Sequence, residues 1–218
     1  MNDIVIYGDS DFAERIYLYI KLEKEINVLA FTNSRNFKTR DVICGLPVIP
    51  FEELDNILKG KNFKILIAVG YSSMNKLRSK IHAECVNAGF SIATYISKTA
   101  ILYSNDIGEG TIIMPNVYIG PRCSIGTSNI FAANSCVAHD NTIGDFNFIS
   151  SNVALGGGAS VLNNCFLGLS STIKDGVIIE EYSLLGQAAN VLQSTDKYGV
   201  YAGNPAKKIR NNSLESKI

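Results

Sequence analysis

Beginning at Ile101, every sixth residue of the chain is large and apolar: Ile107, Ile113, Ile119, Ile125, Phe131, Val137, Ile143, Ile149, Leu155, Val161, Leu167, Ile173, Ile179, Leu185 and Val191 follow in phase. No slip interrupts the series, and composition alone does not produce one of this length. A period of six is neither the 3.6 of a helix nor the alternation of a hairpin. It predicts short strand, corner, short strand, corner, with each large aliphatic filling the interior. Three such units make a triangular coil of about 18 residues. Residues one coil apart then stack at a strand spacing of roughly 4.8 Å, and residues 101–191 make about five coils. A glycine follows the apolar residue at Gly108, Gly120, Gly126, Gly144, Gly156, Gly168 and Gly186, which is expected to relieve the backbone at the corner. Four places after the apolar residue sits a slim side chain, as at Thr111, Cys123, Ser135, Ala159, Cys165, Ser171, Ser183 and Ala189.

Residues 1–96 follow a different pattern. Ile4–Gly8, Ile26–Phe31, Lys64–Gly70 and Ser91–Ile96 read as strands, and Asp11–Glu25, 51–59 and Ser72–Ala88 as helices, with Asp11 as an N-cap and Gly89 closing the last helix. Alternating strands and helices imply a small parallel, Rossmann-like α/β sheet. The predicted organisation is an α/β domain over 1–96, a hexapeptide β-helix over 97–199, and a basic tail over 200–218 with Lys207, Lys208 and Arg210.

Composition excludes several classes. Lys plus Arg is 20 and Asp plus Glu is 20, so no broad basic surface is available for nucleic acid. No apolar run approaches the roughly 18–20 residues that span a bilayer. The opening MNDIVIYGDS lacks the basic and long apolar regions of a signal peptide. Five cysteines without a CxxC pair argue against a disulfide framework or a structural zinc site, and no metal is expected. A cytoplasmic protein is the expectation.

With its βαβ head, its hexapeptide solenoid and the closing VYAGNPAKKI, the chain resembles the sialic-acid O-acetyltransferase-like sugar acyltransferases. Within that group, VIYGDSDFAE and ILIAVG make it most similar to the bacterial N-acetyltransferases of nucleotide-linked 4-amino-4,6-dideoxy sugars. The resemblance implies a left-handed β-helix, a homotrimer, acetyl-CoA in the groove between neighbouring subunits, and a UDP- or dTDP-linked amino sugar held largely by the N-terminal domain. Such products feed surface polysaccharide assembly.

His139, two places after the inward Val137, falls on the outer wall of the coil. The family's catalytic His-Glu or His-Asp pair matches His139 and Asp140. A neutral imidazole suits the proton that an amine must shed as it attacks a thioester, and the carboxylate would hold its tautomer. One coil further on lies Gly157, where the family places a backbone N–H that binds the thioester oxygen. The resemblance puts pantetheine near Gly168, Leu169, Gly186 and Gln187, and the adenine end near Pro205 with Lys207 or Lys208 close to its phosphates. In the head, the turn Gly8-Asp9-Ser10-Asp11-Phe12-Ala13 is too acidic for a dinucleotide fingerprint. Gly8, Asp9 and Ser10, then Gly70 and Tyr71, are the candidate contacts for a nucleoside or sugar. His82 reads as an ordinary helix residue, and Cys136 has no feature that would activate its thiol.

Three positions depart from the family pattern. Phe148 stands where several relatives carry a second histidine, Ala132 where asparagine is frequent, and the head turn carries its two carboxylates. Two other functions remain open on the sequence: O-acetylation of sialic acid or another sugar hydroxyl, and a non-catalytic β-helical assembly that binds a nucleotide sugar.

Overall fold

The computed structural model describes residues 2–216; Met1 and the last two residues of the predicted tail lie outside the described residues. Contacts divide the chain into two units, Met1–Gly70 with Ile81–Ala93, and Tyr71–Lys80 with Thr94–Ile218.

In the first unit, strands β1 (Asn2–Tyr7), β2 (Ile26–Asn33), β3 (Val42–Ile43), β4 (Leu46–Pro50) and β5 (Lys64–Ile67) form one sheet in the order β3-β4-β2-β1-β5. All neighbours are parallel except the β3–β4 pair. Helix α1 (Asp11–Glu23) buries Ala13, Ile16, Tyr17 and Ile20, the face that its i, i+3, i+4 spacing prescribes. Its N-cap is Ser10, one residue earlier than the sequence predicts. The expected helix over 51–59 shrinks to a 3-10 turn, Phe51–Glu53, and helix α2 (Leu54–Ile57). The expected helix over 72–88 is only α3 (Lys76–Asn87), because Ser73, Met74 and Asn75 take left-handed φ values. The expected fourth strand is also divided: Ile92 makes a single parallel bridge to Ile65, whereas Tyr95–Ile96 opens a sheet of the second unit.

The second unit is a parallel β-helix of two-residue strands in three sheets. The eighteen-residue register holds through the body of the solenoid, where Phe131 pairs with Ile149, Val137 with Leu155, and Ile143 with Val161; it is seventeen at the first coil, with Leu102 opposite Ile119, and sixteen at the last, with Leu184 opposite Val200. From Ile107 onward the six-residue series forms its continuous core, with Ile113, Ile119, Phe131, Val137, Ile149, Val161 and Leu167 wholly buried; Ile101, the predicted first member, is exposed instead, because Leu102 takes the place opposite Ile119. The slim residues Thr111, Ser135, Ala159, Cys165, Ser171, Ser183 and Ala189 are buried as well, at the narrow inner corners.

The glycines after the apolar residues relieve no torsion, since none of the seven has a positive φ. They give room to the next coil. A Cβ on Gly108 would lie 2.6 Å from the Gly126 carbonyl oxygen, and one on Gly120 would lie 2.8 Å from the Ala138 carbonyl carbon. The left-handed residue comes two places later. From Gly110 to Ala188 every sixth residue has positive φ, and that series includes Arg122, Asp140, Phe146 and Tyr182. The predicted tail belongs to the solenoid: Val200–Ala202 pairs in parallel with Leu184–Leu185, and Lys207–Arg210 returns antiparallel to it.

Candidate active site

His139 leaves the strand Cys136–Val137 at a corner, and Asp140 takes the left-handed turn position that follows (φ 60°). That conformation brings the two neighbouring side chains together, and His139 Nδ1 lies 2.7 Å from Asp140 Oδ2. One coil earlier, Arg122 occupies the equivalent corner. Its Nη2 donates to Asp140 Oδ2 at 2.7 Å and its Nε donates to Asp140 Oδ1. The Arg122 guanidinium, and after it the His139 ring, hold the Asp140 carboxyl well below the usual carboxylate range. A carboxylate can only accept, so Nδ1 carries a hydrogen, and the neutral tautomer this contact selects is the one with its acceptor at Nε2.

The backbone around His139 is fixed by a buried asparagine. Asn141 Nδ2 donates to the carbonyls of Ala138, His139 and Gly156 at 3.0–3.1 Å. On the next coil the imidazole lies against Gly157. A Cβ there would stand 2.6 Å from His139 Cε1 and 2.8 Å from Nε2, so only glycine admits the ring in this position. The expectation of a free N–H at Gly157 is not met. That N–H donates to Asp175 Oδ1 at 2.9 Å, because Asp175 is stacked one further coil along. On the earlier-coil side, a cavity of about 450 Å³ opens beside the imidazole, lined by Tyr118, Pro121, Arg122, Cys136, Ala138 and His139.

The remaining predicted residues lie elsewhere. Gly168 and Leu169 follow the strand Phe166–Leu167, and Gly186 and Gln187 follow Leu184–Leu185, in the eight-stranded sheet. His139 follows a strand of the six-stranded sheet, so within one chain these residues occupy a different corner of the prism. Pro205 precedes the last strand and Lys207 begins it, exposed, while Lys208 pairs with Asp196 at 3.0 Å. Phe148, where relatives have histidine, is buried. It stacks on Phe166 with centroids 5.7 Å apart and meets the edge of Tyr71 at 4.9 Å. Tyr71, predicted to touch substrate, is thus part of an aromatic trio on the outer face of the solenoid. Ala132 is buried, with its N–H donating to the Ile149 carbonyl.

In the head, Gly8 is required at the end of β1: its φ is 130° and a Cβ would lie 2.7 Å from the Ala68 carbonyl oxygen. Ser10 is exposed, and Gly70 follows the end of β5 by three residues. Asp9 turns inward as a brace. It accepts from Asn33 Nδ2 (2.8 Å), the Thr39 N–H (2.6 Å) and Thr39 Oγ1 (2.8 Å). Burial alone would raise its pKa, but these hydrogen bonds, those of Thr39 foremost, outweigh it and lower the carboxyl.

Arg122, Asn141 and Asp175 were not singled out from the sequence. The signal was available for two of them, since Arg122 and Asp140, and Gly157 and Asp175, are each one coil apart. Among the described residues no group of His, Cys, Asp and Glu is placed to hold a metal ion, and no helix is long and apolar enough to cross a membrane.

An α/β unit followed by a solenoid of hexapeptide coils places the chain in the class of hexapeptide-repeat acetyltransferases. Residues 106–139 match the bacterial transferase hexapeptide model (six repeats), and residues 3–85 match the PglD N-terminal domain. PerB from Caulobacter crescentus, solved with CoA and GDP-perosamine, is similar at 25% identity; 95% of this chain and 97% of that one are covered, with a TM-score of 0.83. The acetyltransferase domain of PglB from Neisseria gonorrhoeae FA1090 shares the fold at 21% identity, 96% and 100% coverage and a TM-score of 0.80. WeeI from Acinetobacter baumannii AYE shares it at 20% identity, 95% and 100% coverage and a TM-score of 0.69. The two family matches and these structures make the chain similar, over nearly its whole length, to acetyltransferases of nucleotide-linked amino sugars.

Proposed function

We propose that this enzyme transfers acetyl from acetyl-CoA to the 4-amino group of a nucleotide-linked 4-amino-4,6-dideoxyhexose, with His139 as general base. The observation that carries the reading is the imidazole itself: Nδ1 is paired with Asp140, and the glycine at 157 leaves room for the ring, with Nε2 close over the Gly157 backbone. His139 Nε2 takes the proton that the amine sheds as its nitrogen bonds to the thioester carbon. Asp140 stabilises the imidazolium so formed. The Gly157 N–H, once released from Asp175, receives the oxyanion, and as the C–S bond breaks His139 returns the proton to the leaving thiolate. Atoms balance as amide plus free CoA, with no group left on the protein.

The placement of Gly168, Leu169, Gly186 and Gln187 on another corner supports a homotrimer in which those residues come from a neighbouring copy. Pantetheine would pass them on its way to His139, with the adenine end near Pro205 and Lys207. Leu169 is 42% exposed, as such a contact requires. The N-terminal unit would bind the nucleotide at Gly8, Ser10 and Gly70. The nucleotide is UDP or dTDP in this reading, and GDP joins the comparison because PerB was solved with GDP-perosamine. Unpaired thiols at all five cysteines are compatible with a reducing cytoplasm.

The test is thiol release from acetyl-CoA against UDP-, dTDP- and GDP-linked 4-amino-4,6-dideoxy sugars, with the corresponding hydroxyl sugars as controls. Release with one amino sugar and not with its hydroxyl counterpart is the expected result. Release with the hydroxyl sugars alone would replace the reaction by O-acetylation, and release with none would remove this substrate class.

A further inference from the structure

The eighteen-residue register stacks His139, Gly157 and Asp175 in one column on three successive coils. Of the three N–H groups in the glycine run, two are locked into the coil: Gly156 donates to the Ile173 carbonyl and Gly158 to the His139 carbonyl, both at 2.9 Å. Gly157 alone donates to a side chain, Asp175 Oδ1 at 2.9 Å. Asp175 is exposed and, among the described residues, no ion pair holds it in place. We propose that Asp175 is a positioning residue for the transfer: it holds the Gly157 N–H in the free protein and yields it to the thioester oxygen when acetyl-CoA binds. The proposal rests on the acetyl-transfer reading above.

The origin of the contact lies in the solenoid. Elsewhere, an acceptor one coil on caps the N–H that follows a glycine: Asp145 Oδ1 accepts from Thr127 N and Asn163 Oδ1 from Asp145 N, each at 2.7 Å. Gly126, Gly144 and Gly156 leave the space that Asp145, Asn163 and Asp175 Oδ1 fill, since a Cβ on any of them would collide with that oxygen. In the first two cases the capped N–H faces no catalytic group. At Gly157 the same device falls beneath the imidazole of His139.

Its chemical consequence follows from geometry. One N–H cannot make a full hydrogen bond to the Asp175 carboxylate and to the thioester oxygen at once, because the two acceptor oxygens would occupy the same position along it. Binding of the acetyl end therefore waits on the fraction of molecules in which Asp175 has rotated away, and apparent affinity falls by that fraction. Free CoA has no thioester carbonyl to place and does not incur this loss. Asp175 thus weakens the hold on acetyl-CoA relative to the CoA that leaves after transfer.

The test compares wild type, Asp175→Ala and Asp175→Asn by isothermal titration calorimetry with acetyl-CoA and with CoA, in the absence of acceptor, together with the melting temperature. The expected result is acetyl-CoA binding about three- to tenfold tighter in Asp175→Ala, with CoA affinity unchanged within about twofold. Asp175→Asn keeps a neutral acceptor for the corner and falls between the two, so it carries the test if the alanine variant does not fold. Equal acetyl-CoA affinities in wild type and the folded variants, or parallel shifts for CoA and acetyl-CoA, overturn the proposal and reduce Asp175 to a corner brace. A wild-type protein that binds neither ligand overturns it together with the acetyl-transfer reading, so the two failures are distinguishable.

Discussion

The sharpest test of the site is the smallest change that can be made in it, Gly157→Ala. Gly157 has no positive φ, so alanine suits its backbone and, in open space, would stabilise the fold slightly by restricting the unfolded chain. The space is not open: the new methyl would lie 2.6 Å from His139 Cε1 and 2.8 Å from Nε2, where ordinary contact begins at 3.4 Å. The ring must retreat by at least about 0.8 Å, the difference between those limits, or rotate and lose its 2.7 Å bond to Asp140. A displacement of about 1 Å at a reacting group costs on the order of 10²-fold in rate. The expectation is a fall of about 10²-fold in kcat/KM for acetyl transfer, measured by thiol release. Because the imidazole is on the outer wall, the melting temperature should stay within about 3 °C of wild type, the shift that about 1 kcal/mol brings in a chain of this length. A kcat/KM within threefold of wild type would refute the reasoning, since the ring would then have no catalytic position to lose.

Two further outcomes follow from the same geometry. Asp140→Asn offers Nδ1 an amide donor and so favours the wrong tautomer, which should lower kcat/KM by about 10²-fold or more. In the wild type, the Asp140 carboxyl lies well below the usual carboxylate range and stays charged as pH falls, so it should add no step of its own to the pH profile of kcat; a step in the ordinary carboxylate range that Asp140→Asn abolishes would contradict this. Arg78 is wholly buried and donates to the carbonyls of Ser128 and Asn147, each at 3.0 Å. Arg78→Met should cost about 3 kcal/mol through those carbonyls, read as a loss of about 6–12 °C in Tm by calorimetry, and a Tm unchanged within 2 °C would contradict it.

What could be read from the sequence was whatever the solenoid repeats. The interior series and the coil-to-coil stacking follow from one period, because each aliphatic must meet the one eighteen residues on. The corners did not follow from local propensity. Arg122, Phe146 and Tyr182 carry no turn signature, yet all take left-handed φ because the stacked strands on either side dictate where the chain must bend. The head was harder for the opposite reason. Ser72–Ala88 has helical spacing, but its first turn belongs to the second unit and is replaced by the left-handed run Ser73–Asn75, with Asn75 Nδ2 donating to the Cys165 carbonyl of that same unit. A tertiary hydrogen bond over that sequence distance leaves no local trace. Asp9, taken for a ligand contact, is spent on the loop containing Asn33 and Thr39 for a similar reason.

In a solenoid, the spacing of two residues along the chain states whether they can cooperate within one copy. Arg122 and Asp140, His139 and Gly157, and Gly157 and Asp175 are each eighteen apart, and each pair is in contact or close to it. Gly157 and Gly168 are eleven apart and fall on corners served by different sheets, so no adjustment of side chains unites them in one chain. The chemistry of transfer needs little more than the first set: a base, its carboxylate and an N–H. In the proposed reading CoA also passes Gly168 and Leu169, which lie on another corner, and a second copy bringing its Leu169 corner alongside would supply them. On that argument an obligate monomer, made by placing charge at Leu169, should lose acetyl-CoA binding while its His139–Asp140 pair stays intact. Sedimentation and calorimetry on Leu169→Glu would decide the point: a monomer that still bound acetyl-CoA normally would show that one chain holds the whole site.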